Sequence, residues 1–252
     1  MRRTVLCVVL VMACVSSAFG GATEDLFELV GYSSTTPKMI ENLIKFGANV
    51  NAKNKNGYTA LAVAVMVNKN PEIVNALIEG GADVNAKDND GGTVLMLTAA
   101  VNSNPEILNA LIKAGADASI NAKANNGATA LMLAAWGNSN PEIVNTLIKA
   151  GADVNASDNH NHGMTALKIA AGVNNNPEVL KALIKAGANV NAKDEDGNTA
   201  LIIAVMNNRN PEVVKALIKA GADISARNNN GKTALDYAKN DEVKRIILNS
   251  SK

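Results

Sequence analysis

The chain repeats one stretch of sequence at a nearly constant spacing. A threonine opens a short apolar run in every copy, and these threonines are Thr59, Thr93, Thr129, Thr165, Thr199 and Thr233. Their spacings are 34, 36, 36, 34 and 34 residues. The six prolines of the chain follow the same period, at Pro37, Pro71, Pro105, Pro141, Pro177 and Pro211. A fixed period of this size predicts stacked structural repeats, in which each unit buries its apolar face against its neighbours.

Each unit is predicted to contain two short helices. The first begins at the threonine and covers about two apolar turns, as in the segment 129–136. The second begins at the proline, which suits the first helical position, between a capping asparagine and a glutamate. A glycine stands ten residues after each proline, where a left-handed residue commonly ends a helix. The segment that leads to the next threonine has turn chemistry and no apolar run, which predicts a protruding loop or hairpin.

This pattern resembles the ankyrin repeat. The matching residues are the Gly-x-Thr-x-Leu start, the Ala-Ala pair, the Leu-Ile pair of the second helix and the exit Gly-Ala-Asp-Val-Asn-Ala at 151–156. The resemblance covers roughly residues 24–248 and implies an all-α solenoid of stacked helix–turn–helix units with protruding hairpin loops. The family's Thr-Pro-Leu-His is Thr-Ala-Leu-x here, so the proline and histidine that brace the family's first helix are missing. The longer, Asn-rich inter-helix turn gives a period of 34 in place of 33.

We expect one domain, residues 21–252, with about seven units including both caps. The tetratricopeptide repeat also has a period of 34, but it has longer helices and no place for a polar hairpin in every unit. The predicted units are 23–50 (cap), 51–84, 85–120, 121–154, 155–190, 191–224 and 225–252 (cap). The extra residues of the two 36-residue spacings fall in loops, at 118–120 and 158–163. The aromatic content of 3% beside a hydrophobic content of 47% suits a thin core made by stacking small units.

Residues 1–20 have the layout of a secretory signal peptide. Arg2 and Arg3 precede an apolar run of about a dozen residues, and Ala18 and Gly20 form a small-residue exit. The run is too short to span a bilayer, which needs roughly 20 residues. We expect cleavage after Gly20 and an exported protein, periplasmic or secreted. The alternatives are a buried first helix of the fold and, from a loose lipoprotein-like match, a lipid anchor at Cys14.

The remaining chain offers little chemistry. Both cysteines lie in the first 20 residues, and loss of Arg2 and Arg3 takes the formal charge from +1 to −1. A near-neutral chain with interspersed signs has no electrostatic footprint for nucleic acid. No Ser/His/Asp arrangement is brought together by the repeat, so we expect no enzyme, no cofactor and no metal. The alternative is a metal or small ligand at the His160/His162 hairpin beside Asp158, where a solvated loop tip is the more ordinary interpretation.

The resemblance implies binding of partners by the hairpin tips and the exposed ends of the first helices, on the concave face. The residues placed there are Tyr58, Met66, Val67, Val101, Trp136, Met164, Val173 and Met206. The single tryptophan is a preferred interface anchor, and methionine adapts to varied partners. The alternative is that these side chains fill gaps between stacked units. The sequence therefore predicts a monomeric, non-catalytic protein–protein interaction scaffold; an inhibitor or immunity-type binding protein is a related alternative.

Overall fold

The structure, a computed structural model, describes residues 21–158, 163–208 and 210–250. Over these ranges the regular structure consists of fourteen α-helices and one short 3-10 helix, Ala116–Ser119, without strands. Two isolated bridges, Lys87 with Thr93 and Ser157 with Thr165, occur in hairpins. The predicted signal segment 1–20 and the His160/His162 pair lie outside the described residues.

Seven helix pairs follow one another along the chain, which confirms the predicted all-α class and its two-helix units. The first helices of the pairs are α1 (Ala22–Leu29), α3 (Ala60–Val67), α5 (Val94–Val101), α7 (Ala130–Gly137), α9 (Ala166–Val173), α11 (Ala200–Asn207) and α13 (Ala234–Tyr237). The second helices are α2 (Pro37–Lys45), α4 (Pro71–Glu79), α6 (Pro105–Lys113), α8 (Pro141–Lys149), α10 (Pro177–Lys185), α12 (Pro211–Lys219) and α14 (Asp241–Asn249). The single domain and its unit boundaries stay a prediction.

The helices belong to two compact units, one of residues 21–98 with 104–119 and one of 99–103 with 120–250. Within the first unit α1 packs on α2 and α3, and α4 packs on α2, α3 and α6. Within the second unit the first helices α7, α9, α11 and α13 contact one another in order. The second helices α8, α10, α12 and α14 form a parallel row, so this unit has two helical layers.

The core of each unit is built from the leucine, isoleucine and alanine positions of the repeat. Fully buried residues of the first unit include Leu26, Ile40, Leu61, Ile73 and Leu77. Their counterparts in the second unit include Leu131, Ile143, Leu147, Leu167 and Leu201. Since burial of one such side chain is worth about 1.5–3 kcal/mol, the stacked rows supply much of the stabilisation of each unit.

Side-chain oxygens cap both kinds of helix as the sequence predicted. The Thr129 hydroxyl accepts a hydrogen bond from the Met132 amide at 3.3 Å, and the other first-helix threonines cap in the same way. The asparagines before the prolines each accept from the glutamate amide two residues later: Asn70, Asn104, Asn140, Asn176 and Asn210. Thr36, before the first proline, makes no such side-chain bond. Each cap is worth roughly 1 kcal/mol.

The capping asparagines donate a second hydrogen bond, which an aspartate in their place could not donate. Asn140 Nδ2 donates to Ser103 O at 2.8 Å, and Asn176 Nδ2 donates to Ser139 O at 2.7 Å. Asn210 Nδ2 donates to Asn175 O at 3.0 Å. An amide both accepts and donates, whereas a carboxylate only accepts. One asparagine therefore caps its own helix and holds the turn of the preceding repeat.

A further row of asparagines, the buried Asn138 and Asn174 and the half-buried Asn208, follows the first helices of the second unit; we call it the asparagine ladder. Each side-chain amide donates to two backbone carbonyls of the preceding repeat, in Asn174 to Ala135 O at 2.9 Å and Asn138 O at 3.0 Å. Each Oδ1 accepts from the backbone amide two residues later. The side chains of the longer Asn-rich turn thus supply hydrogen-bond partners for the backbone groups of that turn and of the turn before it.

The first insertion predicted from the spacing changes the local hydrogen bonding. In regular repeats the side-chain amide of the asparagine at the start of the loop both donates and accepts a hydrogen bond. Asn121 Nδ2 donates to Gly151 O, and Asn121 Oδ1 accepts from the Asp153 amide. Asn85 also donates to the equivalent carbonyl, Gly115 O, at 3.1 Å. Its Oδ1 is buried and accepts no hydrogen bond, because the inserted 3-10 helix replaces the usual turn. The extra residues therefore remain in a loop but remove one bond of the regular pattern.

Candidate functional site

Large apolar side chains are exposed at equivalent places in the second unit, at the carboxyl ends of the first helices. Trp136 is 63% exposed, Val101 57%, Val173 50% and Met206 45%. Most large apolar side chains of a folded protein are buried, but an isolated exposed one is common and needs no functional explanation. These four lie at the same end of consecutive first helices, seven or eight residues after the capping threonine, and contiguous exposed apolar surface commonly marks an interaction site.

The first unit shows the same feature on a smaller scale. Val67, at the end of α3, is 56% exposed. Its neighbour Met66 and the hairpin residue Tyr58 are half-buried. Of the predicted binding residues in this unit, Val67 therefore presents most of its surface to solvent, and the other two present part of theirs. Their role in binding stays a prediction.

Trp136 borders a pocket of about 440 Å³ in the second unit. Its apolar walls come from three consecutive first helices and one hairpin: Met132, Leu133, Met164, Ile169, Val173 and Ile203. The half-buried Met164, predicted from sequence as a hairpin contact, is thus brought together with Trp136 and Val173, while Met206 lies outside the lining. A mostly apolar concavity with a few polar groups is the usual form of a binding pocket.

Gly172 occupies the position of α9 that Trp136 occupies in α7. A Cβ atom at Gly172 would lie 2.9 Å from Ile203 Cγ2, closer than real Cβ contacts. The glycine therefore allows α9 and α11 to approach closely, and it lines the pocket together with Trp136. A larger side chain in its place would have to displace Ile203.

Lys168 lies in the pocket lining and is almost completely buried, at 2% exposure. Its Nζ donates to Gly163 O at 3.0 Å. The equivalent position of the other first helices carries an apolar residue in four repeats, Ala62, Met96, Met132 and Ile202, and Asp236 in the last. This lysine was not among the residues predicted for the site, although its charge stands out beside those four apolar residues. Lys168 stands where the family pattern has histidine, and it tethers the hairpin to its own helix.

The charge of Lys168 is balanced by two carboxylates of adjacent hairpins. Burial lowers the pKa of the Lys168 ammonium below its ordinary value, and Asp194 and Asp158 oppose part of that shift. Asp158 Oδ1 accepts from the Met164 amide at 2.9 Å, and Asp194 Oδ1 accepts from the Asn198 amide at 2.6 Å. The same hairpin bonds elsewhere in the second unit use the neutral Asn228. Aspartate on both sides of Lys168 therefore closes the turns and compensates the buried charge.

Replacing this lysine is expected to change how stability depends on pH. In the folded protein Lys168 loses its proton below pH 10.5, so the unfolded chain binds more protons between the lowered pKa and 10.5. Wild-type stability therefore gains from rising pH in that window, and the Lys168→Met variant lacks this gain. The difference in free energy of unfolding, variant minus wild type, should fall as the pH of urea titrations rises through the alkaline range towards 10.5. The exposed Lys185→Met is the control, and a difference that stays constant or rises would contradict the expectation.

The family of the chain is decided by five overlapping segments, 30–88, 63–158, 97–194, 140–228 and 167–252, which match the family model for ankyrin repeats in three copies. The chain belongs to the ankyrin repeat family. The resemblance inferred from the sequence and the predicted ankyrin-type fold class are confirmed. Ankyrin repeat domains are generally non-catalytic scaffolds for protein–protein interaction, so the coarse functional class follows from the family.

Solved ankyrin repeat domains are similar to this one over most of its length. The crystal structure of the ankyrin repeat domain of Bcl-3, a member of the IkappaB protein family, is 28% identical with a TM-score of 0.68. That similarity covers 88% of this chain and 97% of the Bcl-3 chain. The human ASB11 ankyrin repeat domain is 24% identical with a TM-score of 0.75, covers 89% of this chain and 96% of its own, and supports the fold alone. No curated protein sequence matches the chain.

The described part of the chain contains neither of two other kinds of site. No group of three or more histidine, cysteine, aspartate or glutamate side chains there could hold a metal ion. Among the helices of residues 21–158, 163–208 and 210–250, none has the length and apolar character needed to cross a bilayer. The lining of the Trp136 pocket offers apolar walls, one buried ammonium and one carboxylate, that of Asp158.

Proposed function

We propose that this ankyrin repeat protein is an exported, non-catalytic scaffold that binds a protein partner through the exposed ends of its first helices. The observation that carries the proposal is the row formed by Val101, Trp136, Val173 and Met206 in the second unit, each about half exposed or more. These four side chains lie at the carboxyl ends of consecutive first helices, seven or eight residues after the capping threonine. Covering them releases hydrophobic free energy of about 25 cal/mol per Å².

Trp136 is the expected anchor of this surface. Tryptophan is enriched among the few residues that carry most of the binding energy of interfaces, usually near the centre of the contact. The residues around it are aliphatic or methionine, which can adjust to the shape of a partner. Ankyrin repeat domains bind many different partners, so membership of the family indicates binding but not the partner. The kind of partner has to be inferred from the chemistry of the exposed surface.

Export is the second part of the proposal, and it is supported by the sequence of residues 1–20. The segment combines Arg2 and Arg3 with a short apolar run and a small-residue exit, and it contains both cysteines. A mature chain without thiols is compatible with an oxidising compartment. A mass spectrum of protein recovered from its natural source should show a chain beginning at Gly21, and an intact amino terminus there would contradict cleavage.

Truncation of the anchor is expected to weaken binding without unfolding the protein. A photo-crosslinking residue at Val173 identifies the partner, and the same residue at Lys181, on an outer helix, is the control for non-specific capture. Trp136→Ala and Met206→Ala should each reduce the affinity of that partner about tenfold, which is typical of interface anchors. Full affinity in both variants would exclude this surface as the binding site.

The single tryptophan also reports binding directly. Its exposure predicts red-shifted emission that iodide quenches in the free protein. Addition of the captured partner should shift the emission to shorter wavelength and protect it from iodide. Circular dichroism of Trp136→Ala and Met206→Ala checks that a loss of affinity is not a loss of fold, since both side chains are largely outside the core.

A further inference from the structure

We propose that the pocket beside Trp136 recognises a segment of the partner protein in which a large apolar side chain stands next to a basic residue. The inference rests on the proposed binding function and deepens it, because it names the chemistry of the segment that is bound. It is carried by two separate features of the second unit: the apolar pocket and the distribution of charge over the hairpins that border it.

The pocket fits one large apolar side chain. Its volume of about 440 Å³ lies within the range of roughly 300–1,000 Å³ of ligand pockets, and aliphatic groups of Leu133, Ile169 and Ile203 form its walls. The indole of Trp136 borders it while remaining largely open to solvent. A leucine, methionine or phenylalanine of the partner can therefore enter the pocket and cover the indole at the same time.

The hairpin that follows the one bordering this pocket carries three adjacent carboxylates. Residues 194–196 are Asp-Glu-Asp, whereas the equivalent tips 124–126 and 228–230 carry no charge. A Cβ atom on Gly163, the neighbour of the wall residue Met164, would lie 3.8 Å from Glu195 Cγ. The acidic tip thus contacts the segment that forms one side of the pocket.

The cations near this edge have partners within the protein. Lys193 Nζ donates to Arg227 O at 2.9 Å, and Lys168 is buried with its Nζ on Gly163 O. Asp158 and Asp194 balance the buried Lys168, and counted over Lys168, Asp158 and segment 193–196 this edge keeps a formal charge of −2. A basic side chain beside the apolar anchor complements this edge, and an acidic one is repelled; such complementarity fixes the choice of partner more than its raw affinity.

A random 12-residue peptide display library, selected on the purified full chain, tests the proposal. The enriched peptides should contain lysine or arginine next to a large apolar residue. Their affinity should fall about tenfold in Glu195→Gln/Asp196→Asn, which removes charge from exposed positions. It should fall similarly in Ala128→Tyr, because Ala128 lines the pocket and Tyr58 occupies the same repeat position, so the fold accepts a tyrosine there. The variant Asn230→Ser, at the exposed position equivalent to Asp196 in an uncharged tip, is the control for substitution at a hairpin tip.

The outcomes separate this inference from the function on which it rests. Enriched peptides that are acidic or uncharged, binding unchanged by Ala128→Tyr, or no enrichment would each overturn the inference. Peptides that lack basic residues yet lose affinity in Trp136→Ala would leave the proposed function standing and remove its charge preference. A natural partner that is indifferent to Trp136→Ala and Met206→Ala would remove the proposed function itself.

Discussion

The Asn174→Ala variant is expected to lower the free energy of unfolding by about 2–4 kcal/mol, because it removes three hydrogen bonds from a buried site. Asn174 Nδ2 donates to Ala135 O and Asn138 O, and its Oδ1 accepts from the Asn176 amide at 3.0 Å. The substitution leaves two carbonyls and one amide without these partners. Each buried polar group left unpaired costs about 1–3 kcal/mol, reduced where water can enter. Urea unfolding followed by circular dichroism measures the change.

Asn175→Ala is the matched control. Asn175 is the next residue of the same turn, but its side chain is exposed, and its contribution to the inter-repeat bonding is its backbone carbonyl, which accepts from Asn210. Its replacement should change the free energy of unfolding by no more than about 0.5 kcal/mol. Equal effects of the two substitutions would show that the asparagine ladder does not hold the repeats together.

The role of Asn174 marks the boundary of what the sequence could predict about the fold. The period, the helix starts at threonine and proline, and the glycines with positive φ at the helix ends follow from local chemistry, and the structure confirms them. The asparagine ladder depends on carbonyls 36 and 39 residues earlier in the chain. Local propensity identifies an Asn-rich turn, but only the stacking of repeats brings each side chain to its acceptors.

The candidate site could also be predicted in part: the sequence indicated the exposed end of the helix but not the pocket. The position of Trp136 after the Ala134-Ala135 pair indicated the end of a helix, and the structure shows that side chain exposed. The pocket itself was not predicted, because it needs Gly172 and Ile203 from the two following repeats beside the indole. The charge of Lys168 within an apolar helix was visible in the sequence. Its role could not be predicted, because it depends on the Gly163 carbonyl and on the two aspartates that the fold places near the ammonium.

The Gly197→Ala variant is expected to lower the free energy of unfolding by about 2–4 kcal/mol through two separate costs. Gly197 has a φ of 76°, where an alanine is strained by roughly 1–3 kcal/mol. Its Cβ would also lie 2.6 Å from Asn229 Oδ1 and 2.9 Å from the Asn229 backbone nitrogen. That nitrogen donates to Asp196 O, and Asn229 Nδ2 donates to Glu195 O at 2.8 Å. The methyl group therefore pushes apart two hairpins that are bonded to each other.

Gly221→Ala separates the two costs, because Gly221 has a similar φ of 86° and nothing within 4 Å of the added Cβ. It should lose roughly 1–3 kcal/mol from the same backbone strain alone, without the additional cost of the contact. Urea unfolding of both variants measures the difference, which is the cost of separating the hairpins. Because the acidic tip 194–196 is held by those bonds, Gly197→Ala should also weaken peptides selected for a basic residue, while Gly221→Ala should not. Equal stabilities of the two variants would mean that contact between hairpins contributes nothing to holding this tip in place.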